Sequence, residues 1–453
     1  MSYHLHRRNF LRAGSALVGG VSLGLATSRR VRANSLTLEK LRTAHVGVGG
    51  MGGSDLNSVA SHSNVEVAGL CDVDAKTLKS TQARFPSARG FADFREMFSE
   101  LGDSIDAVVI STPDHTHAPA AMTAIAAGKP VYCQKPLTHE VFESRQLRLA
   151  AAEKNLVTQM GTQIHSHPVY KRAVRMIQDG AIGKVSQVHA WSNKNWGYDG
   201  KEPQPVAASP DYLNWDLWLG TAPEREFVPK VYHPGNWRKF VDFGTGTLGD
   251  MGVHIFDTPF TALALTAPLT VVTNCRQPTG VGHPEKNQVK YVFPGTQFTT
   301  DQLVWSWYDG QDAPPEATSV GLPAGTSLPG QGSLFVGEGG QMLLPHIGEP
   351  VLFPEAKFKD YQRPEVEADN HYHQWVDACC GKGKTSMGFE LAGPLTEALL
   401  LGVVANRFPG ESLEWNSKDM LVTNLESANN LIQRDYRTGF EVDGLTRVLA
   451  GSR

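Results

Sequence analysis

Cysteine is scarce, with five residues in a chain of 453. Cys71 and Cys133 end apolar runs, Cys275 stands alone, and Cys379 and Cys380 are adjacent. That spacing offers no disulfide framework, so the cysteines read as small buried hydrophobes. Charge of one sign is lacking too. A formal net charge of −4 with 19% charged residues gives no basic field for nucleic acid. No internal repeat or low-complexity tract is present, and the spacings of a P-loop, a Gly-x-Ser-x-Gly elbow and a zinc ribbon are missing. His115/His117, His165/His167 and His371/His373 could chelate as pairs. No Cys, His or carboxylate set completes a tetrahedral site beside them, so no metal is expected.

Glycine is in surplus, at 45 residues, and the informative ones lie together. Gly47, Gly49 and Gly52 are spaced G-x-G-x-x-G after an apolar run, with Gly50 and Met51 between them. About twenty residues on, a second apolar run over 65–71 ends in Asp72. This pattern fits a dinucleotide. Gly47 permits a tight turn, Gly49 lets backbone N–H groups approach a pyrophosphate, and Gly52 lets the following helix pack close. The helix N-terminus then faces phosphate with partial positive charge. A carboxylate at position 72 suits free ribose hydroxyls and repels an added 2′-phosphate, so NAD is favoured over NADP. The competing reading is a glycine-rich turn that binds nothing.

From 41 to 163 the pattern alternates strand and helix. Strand-like runs cover 44–48, 65–71, 105–112, 131–134 and 156–161. Helical patterns cover 52–61, 75–85, 94–101, 118–127 and 140–155. The expectation is an α/β fold whose N-terminal Rossmann domain is a doubly wound parallel sheet. From 164 to 453 the texture changes. Alternating runs at 185–191, 269–275 and 302–307 predict an α+β domain with a largely antiparallel open sheet. The Pro- and Gly-dense segments 277–285 and 309–332 read as loops, and 394–406 as a late helix.

The first 33 residues stand apart. Arg7-Arg8-Asn9-Phe10-Leu11-Arg12 precedes an uncharged run over 13–28, too short and too rich in Gly and Ser to span a bilayer. A charged start, a short apolar middle and a small-residue ending describe an export signal. The arginine pair resembles a twin-arginine address, with His6 in place of the usual Ser or Thr, and cleavage is placed after Ala33. Such a route leads to a periplasmic or extracellular protein that carries its nucleotide with it. A disordered basic tail is the alternative.

Two further segments join the glycine turn. Thr112-Pro113-Asp114-His115-Thr116-His117 follows one strand-like run, and Gln134-Lys135-Pro136-Leu137 follows the next. With Asp250-Met251-Gly252-Val253-His254 in the second half, they resemble the glucose–fructose oxidoreductase/inositol dehydrogenase/MocA family. The resemblance implies that Thr112, Pro113 and His117 line the nicotinamide half of the cofactor. It implies that Lys135 is the catalytic lysine of the family's Glu-Lys-Pro motif, here with Gln134 in place of Glu. Trp237 and Arg238 correspond to a Trp-Arg pair that lies against the nicotinamide. The resemblance also implies a dimer or tetramer formed through the open sheet face.

The residues themselves support such chemistry. Hydride transfer from an alcohol carbon needs a base for the hydroxyl proton and a donor for the developing oxygen. On a regular helix Asp250 and His254 stand one turn apart on one face, so the carboxylate can orient the imidazole. His254 then serves as base and Lys135 as polarising donor. A buried structural pair is the other reading of Asp250 and His254. Gln163, His165, Asn193 and Tyr198 are candidate substrate contacts, each of which also reads as scaffold. Three functions follow. The first is an exported NAD-dependent oxidoreductase acting on a sugar or cyclitol ring hydroxyl, with a tightly held cofactor. The second is an NAD-dependent glycosidase using transient C3 oxidation. The third is a non-enzymatic NAD-holding sensor.

Overall fold

The computed structural model describes residues 40–446, so the expected export signal at 1–33 lies outside the described residues. The first sheet runs in the order β3-β2-β1-β4-β5-β6 and is parallel throughout. Its strands are β1 (Leu41–Val46), β2 (Val65–Cys71), β3 (Arg89–Phe91), β4 (Ala107–Ile110), β5 (Val131–Cys133) and β6 (Thr158–Met160). Between them lie α1 (Gly50–Ala60), α2 (Ala75–Gln82), α3 (Phe94–Leu101), α4 (Asp114–Ala126) and α5 (Val141–Glu153). All four residues of β4 are buried, as a strand covered by helices on both faces requires. Strand order reverses between β1 and β4, and ligands of such sheets sit beyond the carboxyl ends at that point. The apolar pattern carries no sign of β3, because two of its three residues are exposed.

After α6 (Pro168–Gln178), a mixed sheet of nine strands forms in the order β13-β12-β11-β7-β10-β9-β8-β14-β15. The strands are β7 (Val185–Ser192), β8 (Thr270–Asn274), β9 (Asn287–Pro294), β10 (Thr299–Asp309), β11 (Gln331–Gly337), β12 (Gly340–Pro345), β13 (Val351–Phe353), β14 (Ser412–Asn416) and β15 (Leu421–Val422). Only the β7–β10 pair is parallel; the other pairs are antiparallel. The associated helices are α7 (Trp215–Leu219), α8 (Val253–Ala262), α9 (Glu355–Phe358), α10 (His371–Cys379) and α11 (Phe389–Ala405). Period-2 burial in β9 sends Val289, Tyr291 and Phe293 inward. On β10 Trp305 faces the same way and packs on Phe256 of α8, ring centroids 4.1 Å apart. Burying each such ring contributes roughly 2 kcal/mol.

Late segments return to the first sheet. Trp375 and Val376 of α10 share one apolar cluster with Leu41, Val59, Ala107, Val109 and Tyr132. Sequence order places α10 with the second domain, yet its apolar face supplies cover that β1, β4 and β5 need. Along α5, Arg145 pairs with Glu397 of α11 at 2.7 Å, and Ser144 Oγ donates to the Gly393 carbonyl at 2.9 Å.

Asp309 closes β10 with its carboxyl buried, and Trp307 Nε1 donates to its Oδ2 at 2.9 Å. Burial pushes its pKa up to about 8. An unfolded aspartate ionises near ~3.9, so the folded chain holds this proton more tightly. The stability it confers is therefore present in acid and is lost as pH rises from ~4 through 8. Asp309→Asn is expected to melt above the wild type at pH 8.5 and no higher than it at pH 5, measured by differential scanning fluorimetry. A wild type that melts above the variant at pH 8.5 contradicts this.

Candidate active site

The glycine turn leaves β1 with Gly47 at φ +80°, where a Cβ would lie 2.6 Å from the Ser111 carbonyl oxygen. At Gly52 a Cβ would lie 2.1 Å from the Gly47 carbonyl oxygen, so only hydrogen lets α1 approach the strand. Gly47, Gly49, Gly50, Met51 and Asp72 all line a cleft of about 1180 Å³, while Gly52 lies beneath it. Asp72 Oδ2 accepts the Val48 N–H at 3.0 Å and Oδ1 accepts the Asp74 N–H at 2.9 Å. A carboxylate has about four lone-pair sites, so capacity for a ribose diol remains. These features fit a dinucleotide with free ribose hydroxyls.

Second-domain residues wall the Asp72 end of this cleft. Tyr212, Trp218 and His233 line it, with the Tyr212 carbonyl accepting the Ala75 N–H at 2.7 Å, and Phe440 reaches it from near the end of the described chain. The Lys76 ammonium sits 3.6 Å over the Tyr212 ring, and Arg95 and Arg437 flank the Phe440 ring at 4.4 and 4.3 Å.

At the other end Thr112, Pro113, Gln134, Lys135, Gln163, Trp237, Arg238 and His254 line the same cleft. The Lys135 ammonium donates to Asp250 Oδ1 at 2.8 Å and to the Asp250 carbonyl at 2.9 Å. One of its three N–H groups is left for an oxygen in the cleft. Asp250 Oδ1 also accepts from Arg238 Nε at 3.1 Å, and Oδ2 accepts from Trp196 Nε1 at 2.7 Å. Burial alone would raise the Asp250 pKa, but the Lys135 and Arg238 charges outweigh it and hold the carboxyl well below the usual range.

The relation expected between Asp250 and His254 is not the one found. Asp250 lies in a π-helical turn, Leu248–Gly252, directly before α8. The wider turn takes the carboxylate off the line of His254, and two cations and an indole N–H claim it. His254 Nδ1 is buried without a protein hydrogen-bond partner among the described residues. Asp250 orients the lysine instead of the imidazole. Burial, then the Lys135 charge, push the His254 pKa well below its ordinary value, so the ring is neutral and able to take a proton.

Four other expected contacts fall elsewhere. His117 is buried in the first turn of α4 with Nδ1 2.8 Å from the Pro136 carbonyl and Nε2 2.9 Å from the Thr112 carbonyl. It braces the two strand-end turns from behind instead of lining the cleft. His165 turns to Asp257, at 2.8 Å, and lines a separate cavity of about 280 Å³. Asn193 is exposed just past the end of β7, its backbone N–H donating to the Gly330 carbonyl. Tyr198 packs on Phe240, centroids 5.1 Å apart, and its hydroxyl donates to the Lys201 carbonyl. Trp196, between these last two, is the residue the sequence reading passes over. It lies 54 residues before Asp250, so nothing local in the sequence signals the contact. Among the described residues no group of three His, Cys, Asp or Glu side chains could hold a metal ion.

A Rossmann domain whose cleft is lined by a lysine of its own and a histidine from the second domain defines a nucleotide-binding fold of two-domain type. Residues 41–162 match the family described as "Oxidoreductase family, NAD-binding Rossmann fold" and residues 169–293 its "C-terminal alpha/beta domain". The chain belongs to this Gfo/Idh/MocA oxidoreductase family. It is 27% identical over 188 residues to levoglucosan dehydrogenase of Pseudarthrobacter phenanthrenivorans, covering 42% of this chain and 40% of that one. To inositol 2-dehydrogenase of Rhodococcus jostii it is 31% identical over 152 residues, covering 33% and 41%. The matches thus span about two fifths of these relatives' lengths. The fold is shared with GenD2 of gentamicin A biosynthesis, solved with NAD (TM-score 0.57, 21% identity, 89% of this chain and 100% of that one). It is shared also with an inositol dehydrogenase homologue of Azotobacter vinelandii, solved with NADH and myo-inositol (0.55, 16%, 83% and 98%).

The His254 ring is expected to stay neutral well below pH 6.5. Imidazole NMR, with the signal assigned through His254→Asn, checks this. A ring that titrates near the ordinary histidine value of ~6.5 refutes it.

Proposed function

We propose that the protein oxidises a ring hydroxyl of a sugar, sugar derivative or cyclitol, or reduces the corresponding ketone, with NAD. The observation that carries this reading is the pairing, in one cleft, of an anchored ammonium with a neutral imidazole. Bound nicotinamide supplies the hydride acceptor or donor. The chain's own part is to move a proton and steady an oxygen. His254 takes the hydroxyl proton, while the free N–H of Lys135 donates to the oxygen as negative charge develops. Asp250 and Arg238 hold that ammonium in place, and the Trp237 side chain walls the cleft beside them. Levoglucosan and inositol, named in the relatives, are polyhydroxylated rings, which supports the substrate class. None of the dehydrogenases named above supports the glycosidase reading.

The Arg7-Arg8 segment supports export by the twin-arginine route, and the aromatic wall over the Asp72 side of the cleft supports a tightly held cofactor. A resident NAD would be regenerated in place by a second carbonyl substrate. The homo-oligomer, a dimer or tetramer, is read from the family resemblance. No helix among the described residues is long and apolar enough to cross a membrane.

Native mass spectrometry of protein recovered from its own compartment should show NAD bound near one per chain and an N-terminus after Ala33. Lys135→Ala should lower kcat for polyol oxidation by about 10²–10⁴-fold while NADH still binds, followed by its fluorescence. Full activity in that variant, or aryl glycoside cleavage without net NADH formation, rejects the reading.

A further inference from the structure

Behind the nicotinamide end of the cleft lies a carboxylate that the reaction does not use. Asp55, in the second turn of α1, is fully buried. Its Oδ2 accepts from Ser111 Oγ at 2.6 Å and from Gln134 Nε2 at 2.9 Å, and its Oδ1 accepts the Tyr372 hydroxyl at 2.8 Å. That hydroxyl in turn accepts from Gln163 Nε2 at 2.9 Å. Gln134 uses its other end on the lysine, since its Oε1 accepts the Lys135 backbone N–H at 3.1 Å. The amide is tightly confined, and a Cβ at Gly161 would lie 2.7 Å from its nitrogen. A line of bonds therefore runs from Asp55 through Gln134 to Lys135 and on to Asp250. Ser111, Gln134, Lys135 and Gln163 on that network all line the cleft.

We propose that Asp55 is a positioning residue for Lys135, acting through the Gln134 amide, and that position 134 requires an amide because a carboxylate faces it. The proposal rests on the oxidoreductase reading only in taking Lys135 as a catalytic group. A glutamate at this position would set two carboxylates about one hydrogen bond apart in a buried place. Such a pair shares a proton at low pH and repels once both ionise. The other titratable groups around Asp55 are His117 on α4, Tyr132 and Cys133 on β5, and Tyr372 on α10. Burial pushes the His117 pKa down and those of the tyrosines and Cys133 up.

The test compares Gln134→Glu, Asp55→Asn and the double variant with the wild type. NADH affinity is read by fluorescence and kcat with the best polyol substrate, at pH 6 and pH 8. Gln134→Glu should bind NADH about tenfold more weakly at pH 8 than at pH 6, with no such slope in the wild type. The double variant exchanges the two groups, so that the amide introduced on α1 can donate to the carboxylate introduced after β5. It should lose the slope and recover affinity to within about threefold of wild type. Asp55→Asn alone sets two amide donors against each other and should lower kcat about tenfold with NADH affinity little changed. A purely structural Asp55 would lose stability without a pH slope or a reciprocal rescue.

Wild-type NADH binding by Gln134→Glu at both pH values, or a double variant no better than the single at pH 8, overturns the proposal. If Gln134→Glu does not fold, Asp55→Asn decides alone, and wild-type kcat in it overturns the proposal. A wild type that binds NADH yet oxidises no polyol defeats the functional reading, while the NADH arm still tests the pair.

Discussion

The ion pair between Lys135 and Asp250 joins the two sheets' territories at one point. Lys135 follows β5 of the Rossmann domain and Asp250 precedes α8 of the second, and the contact is 2.8 Å. Taking two charges out of water is costly, and such a pair persists only when further hydrogen bonds satisfy it. Here the Asp250 carbonyl, Arg238 and Trp196 do so. Two cations against one anion leave a single positive charge beside the cleft. That surplus favours the form of the substrate in which an oxygen carries negative charge, and this difference between ground and transition states is what catalysis needs.

The rest of the site is arranged to keep that charge and the imidazole distinct. Burial first, and then the nearby ammonium, pull the His254 pKa well down, so the ring is neutral at neutral pH and is the group that can accept a proton. A carboxylate bonded to His254 would have favoured its charged form and blunted the difference. The π-helical turn that withholds Asp250 from the ring is thus part of how two basic groups are given opposite tasks.

Much of this architecture is legible in the sequence because it follows local rules. The run 65–71 and the helix 94–101 form within the limits their periodicity gives. The glycine turn lies where steric necessity puts it. What is not legible depends on departures from period or on distance along the chain. A residue pair four apart reads as one helix face only while the helix has 3.6 residues per turn, and Leu248–Gly252 does not. His117 has the composition of a ligand, but its place in the first turn of α4 points it at two carbonyls under the cleft. Asp55 occupies an ordinary helical position, and its importance comes from Gln134 and Tyr372, 79 and 317 residues away. The aromatic wall from Tyr212 to Phe440 is likewise assembled from segments more than two hundred residues apart that no periodicity marks.

Asp72 shows how recognition and folding can share one side chain. The carboxylate that suits an unmodified ribose also receives the backbone of Val48, inside the glycine turn, and of Asp74, the cap of α2. Exchanging it for a residue that welcomes a phosphorylated ribose would therefore unfasten two bends of the main chain along with the coenzyme. A lineage drifting toward the other coenzyme would first have to rebuild those bends by other means, so the choice of nucleotide is kept by the mechanics of the turn as much as by selection on the ligand.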